Sequence, residues 1–488
     1  MVFSDLFFLF VFLPLFGLSY LLAGWADKQL TTDGGARCQT AKNAVLVMFS
    51  LIFYAWGEPV YVFLMLVCVV LNYLAGRGIG SLEGGGRRWA LIAGLAANIA
   101  ILSTFKYLSF FAQVLGDIGI EVADPKISLP IGISFYTFQS ISYLIDVYRR
   151  EAPVQRHFGG LLLYISMFPQ LIAGPIVRYN TVAREISDRR VTSSDVADGV
   201  YRFMRGLGKK VVLANQLSEI SDQFLAGNLT ELTTTGAWVG IVAFTLQIYF
   251  DFSGYSDMAI GLGRCLGFHF NENFRHPYCC SSITDFWRRW HISLGSFFRD
   301  YVYIPMGGNR RHQAVNILVV WFLTGMWHGA SWNFIIWGVY FGVIVMLEKY
   351  TILRIPRSSS LSNLLTSPLL HLYSLLLVVI GWGIFYFDDS SRMMQFFEVF
   401  FGQTETLHDY VTITALTDNC WLWVIALLLC MPIRSEGARL FQRMTSDEGS
   451  LRPALTFAVR LTVSVVLLVL SVALLVGATN NAFIYTRF

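Results

Sequence analysis

The sequence predicts an all-α integral membrane protein with roughly ten or more membrane segments, and three observations carry that expectation. Of its 488 residues, 55% are hydrophobic and only 14% charged, whereas soluble domains carry roughly 25% charged residues. Mean hydropathy is +0.55. Apolar runs near the length of about 20 residues needed to span a bilayer recur from one end to the other. Nothing of domain size separates them. One polytopic domain over residues 1–488 is therefore expected, with the motif-dense region at 247–338.

Taken in order, the expected spans are 3–24, 42–57, 59–75, 89–115, 127–147, 313–347, 368–387, 418–433 and 455–477. Stretches 158–177 and 237–263 are weaker candidates. The first span is expected to stay in the membrane: Met1-Val2-Phe3-Ser4-Asp5 has no basic n-region, and Pro14 interrupts a run long enough to span. The seven cysteines are scattered without a C-x-x-C pair, which argues against a disulfide framework or a zinc site.

Basic loops mark the cytoplasmic side. Lys28, Arg37 and Lys42 place loop 25–43 inside, as do Arg77, Arg87 and Arg88 for loop 76–88 and four arginines for loop 434–452. Acidic stretches 115–126 and 388–410 read as outside, and both termini follow them there. The middle resists this counting. Stretches 178–210 and 264–311 are both basic, yet 237–263 lies between them. Either one of them violates the charge rule, or 237–263 is re-entrant or tilted. We expect the latter, and the same for 158–177, where Phe168-Pro169-Gln170-Leu171-Ile172-Ala173-Gly174-Pro175 breaks a helix twice. Val200, Met204, Leu207, Val211 and Ala214 recur at helical spacing with Arg202, Arg205 and Lys209 on other faces. A helix over 198–225 lying among lipid headgroups is expected.

Four constellations stand out. The run from Ala314 to Leu347 carries no formal charge, and at its centre is Thr324-Gly325-Met326-Trp327-His328-Gly329-Ala330-Ser331-Trp332-Asn333. An imidazole in hydrocarbon points to function, and it titrates where a proton must move in a reaction. Gly325 and Gly329, at GxxxG spacing, are explained by close helix packing alone. The stretch Asp285 through Tyr301 alternates aromatic and basic residues and fits an in-plane element. Its His291 is either a second catalytic group or an interfacial side chain. Asp251 and Asp257 need partners, water or a cavity in so apolar a context; a structural ion pair, with Arg264 and Arg275 as candidate partners, is expected, and a proton relay is the alternative. His276-Pro277-Tyr278-Cys279-Cys280 lacks the further ligands a metal would need, so no metal is expected. There is no P-loop, dinucleotide fingerprint or G-x-S-x-G.

At these residues the chain resembles the membrane-bound O-acyltransferase (MBOAT) family, specifically the bacterial branch that includes the alginate O-acetylation membrane subunit. The matching pieces are Asp251 to Asp257, Asn273-Phe274-Arg275-His276-Pro277-Tyr278, Trp287 through Arg310, and Trp327-His328-Gly329-Ala330-Ser331-Trp332, with Met1-Val2-Phe3-Ser4 and Phe483-Ile484-Tyr485 at the ends. Met306 and Met326 stand where the branch often has Leu, and Cys279-Cys280 also departs from it.

The resemblance implies a helical ring around a thin centre, with a tunnel joining the two membrane faces. It places the family's invariant histidine on His328 and a second on His291. The implied reaction moves an acetyl group from a cytoplasmic thioester to a hydroxyl presented from outside, for O-acetylation of a secreted polysaccharide such as alginate. The donor implied is acetyl-CoA, or an acyl-carrier thioester, with no bound cofactor. His328 is expected as general base, with His291 orienting or polarising the thioester carbonyl. Trp327, Trp332, Asn333 and Asp251, with Arg288, Arg289, Arg299 and also Lys209 and Lys210, are expected on the donor. Partners are membrane lipid and a periplasmic or membrane-anchored acetyl acceptor in the bacterial inner membrane; nucleic acid is not expected. D-alanyl transfer from a carrier protein is the nearest alternative. A glycan or lipid transporter would show inverted repeats, whereas the Trp-His-Gly and Asp-Phe-Ser-Gly motifs each occur once. A non-catalytic scaffold would leave His328 in its apolar run unexplained.

Overall fold

The computed structural model describes the whole chain except residues 31–38, 121, 352–359, 405, 433–450, 479–482 and 485–488; side chains at 30, 360–366 and 451–454 are also left undescribed. The basic loop expected at 434–452 thus falls mostly outside the described residues, as do Arg37, Glu121, Glu405 and Tyr485. The described secondary structure is helical throughout. Among the described residues, eight helices are long and apolar enough to cross a membrane, or nine if the bent pair Tyr410–Thr417 and Cys420–Cys430 forms one span. This is an all-α, multi-pass membrane protein.

The chain forms two compact units, Met1–Gly206 with Tyr255–Asn271 and Asn481–Phe488, and Leu207–Gly254 with Glu272–Asn480. In the first unit, apolar helices Phe8–Gln29, Thr40–Gly57, Tyr61–Ser81 and Gly84–Asp117 follow one another. Hydrocarbon gives helices no hydrophobic reason to associate, so small residues and side-chain amides do that work. Asn72 and Asn98 exchange amide hydrogen bonds of 3.1 and 2.8 Å between the third and fourth of these helices. Arg189 is almost wholly buried and donates to Tyr20, Asn43 and the Leu266 carbonyl. The expected span 127–147 is helix Ile133–Arg149, whose residues are mostly buried. As expected, 158–177 is broken, into Phe158–Ser166 and the short turn Phe168–Leu171.

The middle of the chain narrows one expectation and adds packing detail to another. Segment 237–263 is neither broken nor re-entrant but part of one continuous helix, Thr234–Cys265. The segment expected to lie among headgroups belongs to a helical run through Ser193–Gly208, a π-helical stretch Lys209–Ala214 and Asn215–Leu225, with α-helical backbone at both junctions. Along its second half Leu207, Lys210, Val211, Leu217 and Leu225 are buried in protein. Its start is tied to the basic end of Thr234–Cys265 by Arg264 with Asp195 and Asp198, at 3.4 and 2.7 Å. Its end is capped by Arg392, which donates to the carbonyls of Leu225, Ala226 and Gly227 just beyond the acidic corner Asp388-Asp389. Two of its cations are matched inside the protein, Arg202 by Asp257 and Lys210 by Asp251.

The uncharged run 313–347 is a helical hairpin and not one span. Gln313–His328 and Trp332–Tyr350 are separated by an extended break at Gly329–Ser331. Gly325 and Gly338 lie backbone to backbone across it, so a Cβ at Gly325 would strike the Phe334 carbonyl. The close approach is what places His328 at the hairpin's tip.

Candidate active site

All eleven residues expected at the site lie in the second unit. His328 is the last residue of helix Gln313–His328 and is 3% exposed. Its ring is boxed by Trp337 at 4.8 Å, Trp327 at 4.9 Å and Phe385 at 5.3 Å between centroids. The adjoining Trp382 and Phe341 extend this aromatic wall. The break at Gly329 lets the chain turn away immediately, so the imidazole ends a helix without being covered by a further turn.

His291 is 2% exposed and sits between two short helices, Ile283–Arg289 and Ile292–Phe298. Its backbone is left-handed, with φ +43°, a strained conformation for a residue with a Cβ. The strain is held from outside. Segment 273–275 clamps the turn through Arg275 N–H to the Arg289 carbonyl at 2.9 Å and Ile292 N–H to the Asn273 carbonyl at 3.0 Å. The Asn273 side chain adds His291 Nδ1 to Oδ1 at 3.1 Å, Ser293 N–H at 3.2 Å and Ser293 Oγ at 2.9 Å. Burial pushes the His291 pKa down to about 3, so the ring is neutral. Its face meets Phe252 at 4.7 Å and Trp327 at 5.6 Å. The Trp327 indole therefore touches both histidines.

A buried carboxylate that sequence reasoning missed anchors this region. Glu348 is fully buried, at the far end of helix Trp332–Tyr350 from the tip. Its Oε1 accepts from Ile283 N–H at 2.6 Å, and its Oε2 from Thr284 N–H and Oγ1 at 2.7 Å. The first N–H groups of a helix have no partner within it, and a negative charge there also complements the helix dipole. Glu348 thus fastens helix Ile283–Arg289 to the hairpin carrying His328. The only sequence signal was a carboxylate directly after the uncharged run.

The remaining residues divide. Asn333 is buried and bonds the Phe385 carbonyl at 3.3 Å; it also receives a short bond from Ser331. Asn333 thus closes the hairpin tip. Trp332 is half exposed at the surface. Arg289 is paired with Asp285 at 3.0 Å and Arg299 with Asp300 at 2.6 Å. Arg288 is exposed and has no carboxylate partner among the described residues. The partners expected for the buried aspartates are corrected: Asp251 pairs with Lys210 at 2.7 Å, and Asp257 with Arg202 at 2.9 Å. Lys210 is consequently spent inside the protein and does not belong to an open basic face.

A buried imidazole at a helix end, boxed by indoles and in contact through one of them with a second buried imidazole, is an arrangement that can hold a proton-accepting group away from bulk water. Residues 148–387 match the family model of the membrane-bound O-acyltransferases. The chain is 43% identical to the probable alginate O-acetylase AlgI of Azotobacter vinelandii, over 79% of this chain and 75% of that one. It is 35% identical to the peptidoglycan O-acetyltransferase of Helicobacter pylori, over 72% and 70%. It is 27% identical to the teichoic acid D-alanyltransferase of Bacillus subtilis, over 45% and 59%. This protein belongs to the membrane-bound O-acyltransferase family and is an O-acyltransferase.

Proposed function

We propose that the protein transfers an acetyl group from acetyl-CoA on the cytoplasmic side to a hydroxyl presented from the opposite side, for O-acetylation of a secreted polysaccharide such as alginate. The observation that carries this reading is the placement of His328, buried at the hairpin tip beyond the reach of bulk solvent. In the mechanism, His328 takes the proton of the acceptor hydroxyl as its oxygen attacks the thioester carbonyl carbon. The carbon–sulfur bond then breaks, and His328 returns the proton to the departing thiolate. A thioester is already activated, so positioning and deprotonation supply most of what is needed.

Arg288, exposed near Lys349 and without a carboxylate partner, offers phosphate-bearing donors a positive entry. Trp327 shares its faces between the two histidines and would line the acyl path. We read the setting as a bacterial inner membrane, with a periplasmic or membrane-anchored protein taking the acetyl group onward. The named functions of the relatives also support a second reading, acyl transfer to another envelope polymer, including D-alanyl transfer from a carrier protein. Labelled acetyl-CoA, offered to the purified protein with and without excess unlabelled carrier-protein thioester, tests the choice. Transfer from free acetyl-CoA supports the first reading; transfer from the carrier thioester alone replaces it with the second.

A further inference from the structure

The geometry around His291 assigns its protons. A backbone N–H can only donate, and Ser293 N–H points at the Asn273 side-chain atom 3.2 Å away. That atom is therefore the carbonyl oxygen of the amide, and Ser293 Oγ donates to it as well. An oxygen in that position can only accept from His291 Nδ1 at 3.1 Å. Were Nδ1 unprotonated, two lone pairs would face each other inside a buried site, at the cost of an unsatisfied polar contact.

We propose that Asn273 is a positioning residue that fixes His291 as its Nδ1–H tautomer, so that His291 meets the substrates through an Nε2 lone pair, as a hydrogen-bond acceptor. This rests on the acyltransferase reading above and changes one part of it. The neutral ring then has no proton on Nε2 with which to polarise a thioester carbonyl, the role its position first suggested. Its chemistry is instead to accept from an O–H or N–H of a substrate and hold that group in line. Two substrate groups have this chemistry: the acceptor hydroxyl and the amide N–H groups of the donor's pantetheine arm. The low proton affinity that burial gives His291 fits an acceptor that stays neutral. Asn273 holds the same turn by its backbone, so tautomer and left-handed backbone are fixed by one residue. Which nitrogen of a histidine carries the proton is commonly set by the bond its other nitrogen makes, and the wrong tautomer is costly in a catalytic site.

The test combines ¹⁵N NMR of histidine-labelled full-length protein with steady-state kinetics. The His291 resonances are assigned by their loss in His291→Gln. In the wild type they should show a protonated Nδ1 and a bare Nε2. Asn273→Asp, which keeps an acceptor, should preserve that pattern and hold kcat within about tenfold, whereas Asn273→Ala should mix the tautomers and lower kcat on the order of 100-fold. A rise in KM for the acceptor in His291→Gln assigns the bond to the hydroxyl; a rise for acetyl-CoA assigns it to the pantetheine amide. A wild-type signal with the proton on Nε2, or on both nitrogens, overturns the proposal. So does an Asn273→Ala protein that keeps the wild-type tautomer and kcat. Should Asn273→Ala fail to fold, the wild-type and Asn273→Asp spectra still decide. Absence of acetyl transfer by the wild type would sink the acyltransferase reading while leaving the tautomer result standing.

Discussion

Lys210 and Asp251 form a 2.7 Å ion pair with only 6% and 2% of their side chains exposed. Lys210 lies in the π-helical stretch Lys209–Ala214, and Asp251 one residue before the Phe252 ring that packs on His291. π-Helical turns inside longer helices occur frequently at functional sites, and here the turn seats a charge at depth. Removing one partner strands the other, which costs about 3–5 kcal/mol, while replacing both with apolar residues of similar volume is often close to neutral. Lys210→Ala and Asp251→Ala should each lower the thermal midpoint in detergent sharply. The double change Lys210→Met with Asp251→Leu should recover most of that loss. Equal loss in single and double variants would show that the pair does not act as a unit.

Glu348 makes a second, separable prediction. Its carboxylate accepts two backbone N–H groups and a hydroxyl at the start of helix Ile283–Arg289. Hydrogen bonds to a charged group are worth about 1.5–3 kcal/mol each, and the cost of stranding the donors adds to this. Glu348→Ala should therefore destabilise more than Glu348→Gln, which keeps one acceptor oxygen, and activity should fall in the same order. Thermal midpoints and turnover measured side by side check the ranking.

His291 gives the protein a pH-dependent stability whose sign is fixed. Burial lowers its folded-state pKa from 6.5 to about 3. Between those values the unfolded chain binds a proton that the folded protein does not. The contribution is therefore complete above about pH 6.5 and is lost as pH falls toward 3, by at most about 1.4 kcal/mol per pH unit. Between pH 7 and 5 the midpoint of the wild type should fall more steeply than that of His291→Gln. Parallel pH profiles would contradict the burial of a neutral imidazole.

The polar helical run from Ser193 to Leu225 predicts a topology that charge counting alone does not give. Its start is held by Arg264 and its end by Arg392, beyond the acidic corner at Asp388 and Asp389. If it crosses, the basic residues at 178–192 and those at 264–311 sit on the cytoplasmic side without violating the charge rule, with the cations at 202–210 inside the crossing run. In a cysteine-free background, Thr230→Cys should react with an impermeant maleimide added outside intact cells, and Arg190→Cys only after permeabilisation. Labelling of both from one side would contradict the crossing.

Much of the fold was legible because apolar runs of spanning length follow from bilayer thickness. His328 stood out as a candidate for a related reason, since a lone imidazole in an uncharged run has few structural explanations. The run from Ser193 to Leu225 was not, because Lys210 and Arg202 are matched by Asp251 and Asp257, tens of residues away in sequence. Hydropathy counts charges one at a time and cannot see them cancel. Glu348 and the role of Asn273 were hidden for the same reason. A cap or a tautomer lock depends on which backbone N–H lies opposite, and only the packed helices decide that. The hairpin break at Gly329–Ser331 lay inside the noticed motif, yet it read as packing glycine because a GxxxG spacing serves both purposes.

The most direct test of the central claim is transfer of labelled acetyl from acetyl-CoA by the purified protein, comparing wild type with His328→Ala. We expect turnover by the wild type and a loss of about 100- to 10,000-fold in a variant that elutes and melts as a folded protein. A folded His328→Ala protein that keeps full turnover would contradict the assignment of the reaction to this histidine.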